Sequence, residues 1–225
     1  MDIYIYYGLG ILAFIITITA QISVSAAFSR YKKVNNSSNL SGFEVAKKIL
    51  DENGLDDIYI IEIKNNSGDH YDSGSKVIRL SSEVFHGETI TAASVAAHEA
   101  GHAIQHKEGN TFIKLRKFIF PLVRLSSQFG YIVILLGLFF NMMQLFYLGI
   151  VMLSVILLFQ LFTLPVELDA SNKALENLEK YKLLNADELS DSKKVLKAAA
   201  YTYVASLATT VLEILRLLFI ARNRD

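Results

Sequence analysis

Residues 3–28 form an almost unbroken apolar run, and two more runs, 119–140 and 145–164, follow later in the chain. Each is long enough to cross a ~30 Å hydrocarbon core, where a lone segment can satisfy its backbone only as a helix. Much of the fold is constrained by that requirement alone. A cleaved signal peptide is the rival reading of the first run, since Val24-Ser25-Ala26 resembles a small-residue cleavage site. Signal peptides carry positive charge ahead of the apolar stretch, whereas the early charge here is Asp2, and Arg30, Lys32 and Lys33 follow it. An uncleaved anchor is expected, with the N-terminus outside and residue 30 onward in the cytoplasm.

The second and third runs are joined by the short, uncharged Asn141-Met142-Met143-Gln144. Lys114, Arg116, Lys117 and Arg124 precede the pair, and Lys173, Lys180 and Lys182 follow it. This pattern predicts a helical hairpin with its tip outside and both open ends in the cytoplasm. A fourth apolar stretch, 198–220, contains Glu213 and Arg216, three residues apart, where they can pair on one helix face. It spans or lies in the interface; spanning would put Arg222 and Arg224 outside, against the charge rule.

Of 225 residues, 52% are apolar and 20% charged, a mixture that suggests a chain divided between lipid and water. The 22 acidic and 22 basic side chains cancel, so the basic excess of a nucleic-acid binder is missing. There is no cysteine. Disulfides, thiolate zinc sites and a cysteine nucleophile are excluded, and any zinc must be held by His, Asp or Glu.

Residues 34–112 read as the water-facing part. Ser41 and Glu44 make a capping box for a helix whose Val45, Ile49 and Leu50 share a face, with Gly54 as its stop. Residues 58–63 and 77–80 read as two short strands, separated by the turn-rich Asn65-Asn66-Ser67-Gly68 and Ser73-Gly74. Thr89 or Thr91 opens a long helix to about Lys107, ended by Gly109-Asn110.

That helix carries His98-Glu99-Ala100-Gly101-His102. Histidines four apart project from one helix face and can reach one metal ion, and the intervening glutamate can serve water there as general base. A hydrolytic zinc site takes three protein ligands, so a third is needed. His106 continues the ladder, but the next turn carries it past an ion held by the first two; a supporting or solvated role is expected. The three-histidine metzincin pattern is not met, because Gln105 and Glu108 stand where Gly and His belong. Glu167 is the better candidate. Two crossings of the hairpin return the chain to the side of the motif, and Pro165 is expected to bend or restart the helix, turning Glu167 away from lipid.

The order of HExxH, hairpin and Leu164-Pro165-Val166-Glu167 resembles, along nearly the whole chain, the YugP-type membrane zinc metallopeptidases of bacteria. The segments from Ser94 to Ala103, Gln105-His106, and Ala198 to Ala205 share in that resemblance. More distantly, the layout is similar to the HtpX protease and the CAAX prenyl endopeptidase, gluzincins embedded in membranes. The resemblance implies His98, His102 and Glu167 as zinc ligands and Glu99 as catalytic base. HtpX-type enzymes have a supporting aspartate four residues after the ligand glutamate, where this chain has Ser171. Either Asp169 takes over part of that support, or the group uses a weaker one.

The expected architecture is a mainly α integral membrane protein with a small α+β, zincin-like cytoplasmic part holding a short sheet and the HExxH helix. Its parts are an anchor at 1–29, the zincin-like part at 30–117, the hairpin at 118–166, a cytoplasmic helical segment at 167–197 and an apolar helix at 198–225. The function expected is zinc-dependent hydrolysis of peptide bonds in membrane or misfolded proteins, at the cytoplasmic face of the bacterial plasma membrane. Partners would be polypeptide and bilayer, not nucleic acid. His70, Tyr71, His86, Tyr201 and Tyr203 are the candidate donors to an oxyanion, and residues 77–80 a candidate edge strand for substrate backbone. The alternatives are a membrane scaffold that keeps the motif without cleaving and a structural zinc staple; Glu99 argues against the staple, which needs no base.

Overall fold

The computed structural model describes residues 2–64 and 68–222. Residues 65–67 of the expected turn at 65–68 and the terminal Arg224 lie outside the described residues. Among the described residues, four helices are long and apolar enough to cross a membrane: α1 (Asp2–Tyr31), α5 (Thr111–Phe139), α6 (Met143–Lys180) and α7 (Ala186–Arg222). Between α1 and α5 lie α2 (Gly42–Glu52), β1 (Tyr59–Ile63), β2 (His70–Asp72), β3 (Val77–Ser81), α3 (Ser82–His86) and α4 (Ile90–Lys107). The chain is mainly helical and divides into two compact units, one of Met1–Gln21, Thr111–Pro165 and Thr202–Asp225, the other of Ile22–Asn110 and Val166–Tyr201.

In the first unit, α5 and α6 form a tight hairpin. The Met142 N–H donates to the Gly137 carbonyl at 2.8 Å, and a Cβ on Gly137 would stand 2.5 Å from the Phe146 nitrogen. Only a residue without a side chain admits that approach. Ile134, Phe146 and Leu153 pack there with Leu217 of α7. The Arg216 guanidinium donates to Glu213 at 2.6 Å, lies 4.4 Å over the Tyr6 ring and approaches Gly10. Arg216 therefore faces α1 and carries Glu213 as its partner, the kind of pairing a charge inside an apolar helix requires.

α6 corrects one expectation. It runs unbroken through Pro165 to Lys180, with no restart before Glu167. Proline removes one hydrogen bond, the one its missing N–H would give to Leu161. Breaking the helix would strip several backbone groups of partners where water is scarce, which costs more.

The second unit holds a three-stranded sheet in the order β1-β3-β2. β1 runs parallel to β3, with Tyr59 opposite Val77, and β2 runs antiparallel to it, with Tyr71 opposite Ile78. The expected edge strand, β3, is thus the central one. Its Ile78 and Leu80 are fully buried, and β2, too short and polar to be read from sequence, covers its outer side.

The expected caps are present. Ser41 accepts from the Glu44 N–H while Glu44 accepts from the Ser41 N–H, and Thr89 accepts from the Ala92 N–H at the start of α4. α4 buries an alanine face, Ala93, Ala96, Ala97, Ala100 and Ala103, so its neighbours come close. A Cβ on Gly101 would lie 2.6 Å from the Ala170 carbonyl oxygen of α6.

Candidate metal centre

The close approach at Gly101 brings Glu167 of α6 against the two motif histidines. The His98 and His102 Nε2 atoms stand 3.3 and 3.5 Å from one oxygen, Glu167 Oε2. Four-residue spacing on α4 puts both imidazoles on one face, their centroids 4.7 Å apart and their planes at 80°. Glu167 is buried, its side chain only 4% exposed, and the histidines are partly open at 17% and 16%. One ligand atom from each of the three lies within 4.8 Å of the others.

The outer nitrogens of both rings are engaged. His98 Nδ1 lies 3.2 Å from Ser171 Oγ, and that hydroxyl donates to the Glu167 carbonyl at 2.9 Å. With its proton so placed, Ser171 accepts from a protonated Nδ1. Gln105 does the same for His102. Its amide nitrogen donates to the Val166 carbonyl at 2.8 Å and to Asp169 Oδ2 at 2.6 Å, which turns its oxygen to His102 Nδ1 at 3.0 Å. Each ring is thereby fixed in the tautomer that leaves Nε2 free, the arrangement by which outer partners orient a ligating histidine.

This donor set fits zinc. Two neutral imidazole nitrogens and a carboxylate are a usual set for an ion that keeps a position open. Ligands ~2.1 Å from a tetrahedral ion are ~3.4 Å apart, close to the 3.3 and 3.5 Å seen here. Burial disfavours the His102 imidazolium, but the hydrogen bond to Glu167 and the charges of Glu99 and Glu167 outweigh it, holding His102 above the ordinary histidine value.

Glu99 is buried beside the histidines, and its Oε2 accepts from the Tyr71 backbone N–H at 2.8 Å. His106 is not among the converging groups: it is exposed and pairs through Nδ1 with the Tyr71 hydroxyl at 3.0 Å. Among the other sequence candidates, Asp169 reaches the site through Gln105, and Ser171 touches His98 directly. His86 is drawn to Glu62 of β1 at 3.4 Å, and His70 to the Gly68 carbonyl at 2.9 Å. Tyr201 and Tyr203 lie on α7, each more than a third exposed. Gln105 is the residue whose part sequence reasoning missed. Its signal was faint: a helical position three beyond His102, with its anchors 61 and 64 residues away.

Residues 6–222 match the family described as "Putative neutral zinc metallopeptidase". The chain belongs to that family. It is also 39% identical, over 97% of its own length and 97% of the relative's, to "Putative membrane protease YugP" of Bacillus subtilis (strain 168). No solved structure matches it. Zinc-peptidase membership and four apolar helices make this a membrane-associated protein of a zinc peptidase family.

Proposed function

We propose that the protein is a membrane-embedded zinc endopeptidase of gluzincin type, with His98, His102 and Glu167 as metal ligands and Glu99 as general base. The observation that carries this reading is the shared approach of both Nε2 atoms to Glu167 Oε2. A zinc ion held there supplies a Lewis acid that polarises the scissile carbonyl and acidifies water. Glu99 does the proton work: Oε2 is anchored by the Tyr71 N–H, and Oε1 takes the proton of the attacking water and gives it to the leaving amine. Ser171 and Gln105 hold the imidazoles at the angle this needs. Substrate backbone pairs along the outer edge of β2, the edge strand beside Glu99, so that selection reads backbone more than side chains.

The substrates proposed are membrane or misfolded polypeptides, cleaved at the cytoplasmic face to which the charge pattern assigns 30–117. The test uses full-length protein in detergent, with zinc stoichiometry and cleavage of casein measured together. Glu99→Gln is expected to keep zinc and lose cleavage, by several orders of magnitude in kcat. Glu167→Ala is expected to lose much of both. Undiminished cleavage by Glu99→Gln would remove the base, and full zinc retention by Glu167→Ala would remove the third ligand. A scaffold without activity would bind zinc in both wild type and Glu99→Gln and cleave in neither.

A further inference from the structure

Glu99 is held from one side by a three-residue strand, and that strand is itself held to α4 by one side chain. Among the described residues, both hydrogen bonds between β2 and α4 are made by Tyr71. Its backbone N–H donates to Glu99 Oε2 at 2.8 Å, and its hydroxyl pairs with His106 Nδ1 at 3.0 Å. Glu99, Ala103 and His106 follow one another at four and three residues, so they line a single face of α4. Tyr71 lies along that face as a strut, its main chain at one end and its phenol at the other. Pairing with β3 and the bonds of Asp69 to Ser81 and of Asp72 to Gly74 and Ser75 set β2 within the sheet. The partners in these bonds lie in β3 and the turn before it, and none is on α4.

We propose that His106 is a positioning residue for Glu99, acting through Tyr71. The inference rests on Glu99 as the base and deepens that reading. His106 touches neither the ligands nor the base; it fixes the phenol, the phenol fixes β2, and β2 presents the N–H that orients the carboxylate. Burial, with Asp57 and Asp72 nearby, pushes the Tyr71 phenol above its ordinary value, so it stays protonated and available for this bond at neutral pH. Asparagine places a polar atom where histidine has Nδ1, which makes His106→Asn the conservative replacement.

The experiment compares zinc-loaded, full-length wild type, His106→Ala, His106→Asn, Tyr71→Phe and the double variant Tyr71→Phe/His106→Ala in detergent. His106→Ala should lower kcat about fivefold, the worth of one hydrogen bond, with KM within about twofold and zinc content unchanged. His106→Asn should recover most of that loss. Tyr71→Phe should match His106→Ala, and the double variant should fall no further, because both cut one path. Amide exchange at Tyr71, measured by NMR or mass spectrometry, should quicken about fivefold in His106→Ala and not in His106→Asn. Unchanged exchange in His106→Ala, an equal loss in His106→Asn, or additive losses in the double variant would overturn the proposal. If wild type fails to cleave, the endopeptidase reading falls, while Tyr71 exchange still decides whether His106 holds the strand on Glu99.

Discussion

Gln105 is fully buried and forms three hydrogen bonds, two given to α6 and one accepted from His102. Gln105→Leu preserves bulk but frees the His102 ring to rotate and leaves the Asp169 carboxylate without that partner. Zinc affinity should fall about 10–100-fold, measured by chelator competition, as it does when outer partners of a ligand are removed. Ser171→Ala should fall toward the lower end, since Glu167 and Gln105 still restrain the site. Protons compete for the same nitrogens. Because His102 in the metal-free protein binds its proton above the ordinary value near 6.5, zinc affinity should start to weaken on acidification before pH reaches that value. The sign follows from the metal needing the neutral ring: a raised value favours the proton, so lower pH favours the metal-free form. A pH series of zinc titrations checks it, and affinity flat from pH 8 to 5 would contradict it.

At the scale of elements, the site depends on how closely α4 and α6 approach, and Gly101 sets that distance. Gly101→Ala places a Cβ 2.6 Å from the Ala170 backbone carbonyl, which has no side-chain rotation by which to yield. The helices must part, at a cost of about 1–3 kcal/mol, and Glu167 moves off the histidines with them. A lower melting temperature together with weaker zinc binding is expected; loss of stability with unchanged affinity would show that the ligands do not depend on this contact. Sequence made the local parts of this arrangement readable. The Ser41 and Thr89 caps, the histidine spacing and the hairpin turn each depend on residues a few positions apart. The parts that stayed hidden are non-local. β2 is a strand because β3 lies beside it, and His-Tyr-Asp has little strand pattern of its own. Pro165 signals a break in water, yet α6 continues through it because the surroundings make a broken backbone costlier.

For the whole molecule, an even number of crossings returns both chain ends to one side, and four apolar helices make that the simplest path. With Asp2 before the first apolar helix and Arg30, Lys32 and Lys33 after it, the proposed orientation puts the ends outside and the candidate site inside. Arg222 then lies on the disfavoured side. Lys173, Lys180, Lys182, Lys193, Lys194 and Lys197, before the last crossing, outweigh it on the other. Within the last helix, Glu213 and Arg216 are paired and Arg216 stacks on Tyr6, which lowers what the crossing would cost with both charges facing lipid. The chain has no cysteine, so single substitutions report sidedness without background. Asn141→Cys and Arg222→Cys should react with an impermeant maleimide on intact cells, and Asp56→Cys only after permeabilisation. All three residues are exposed, so reactivity reads the side of the bilayer rather than burial. Labelling at 141 and protection at 222 would lay the last helix in the interface, and labelling at 56 in intact cells would turn the candidate site to the outside.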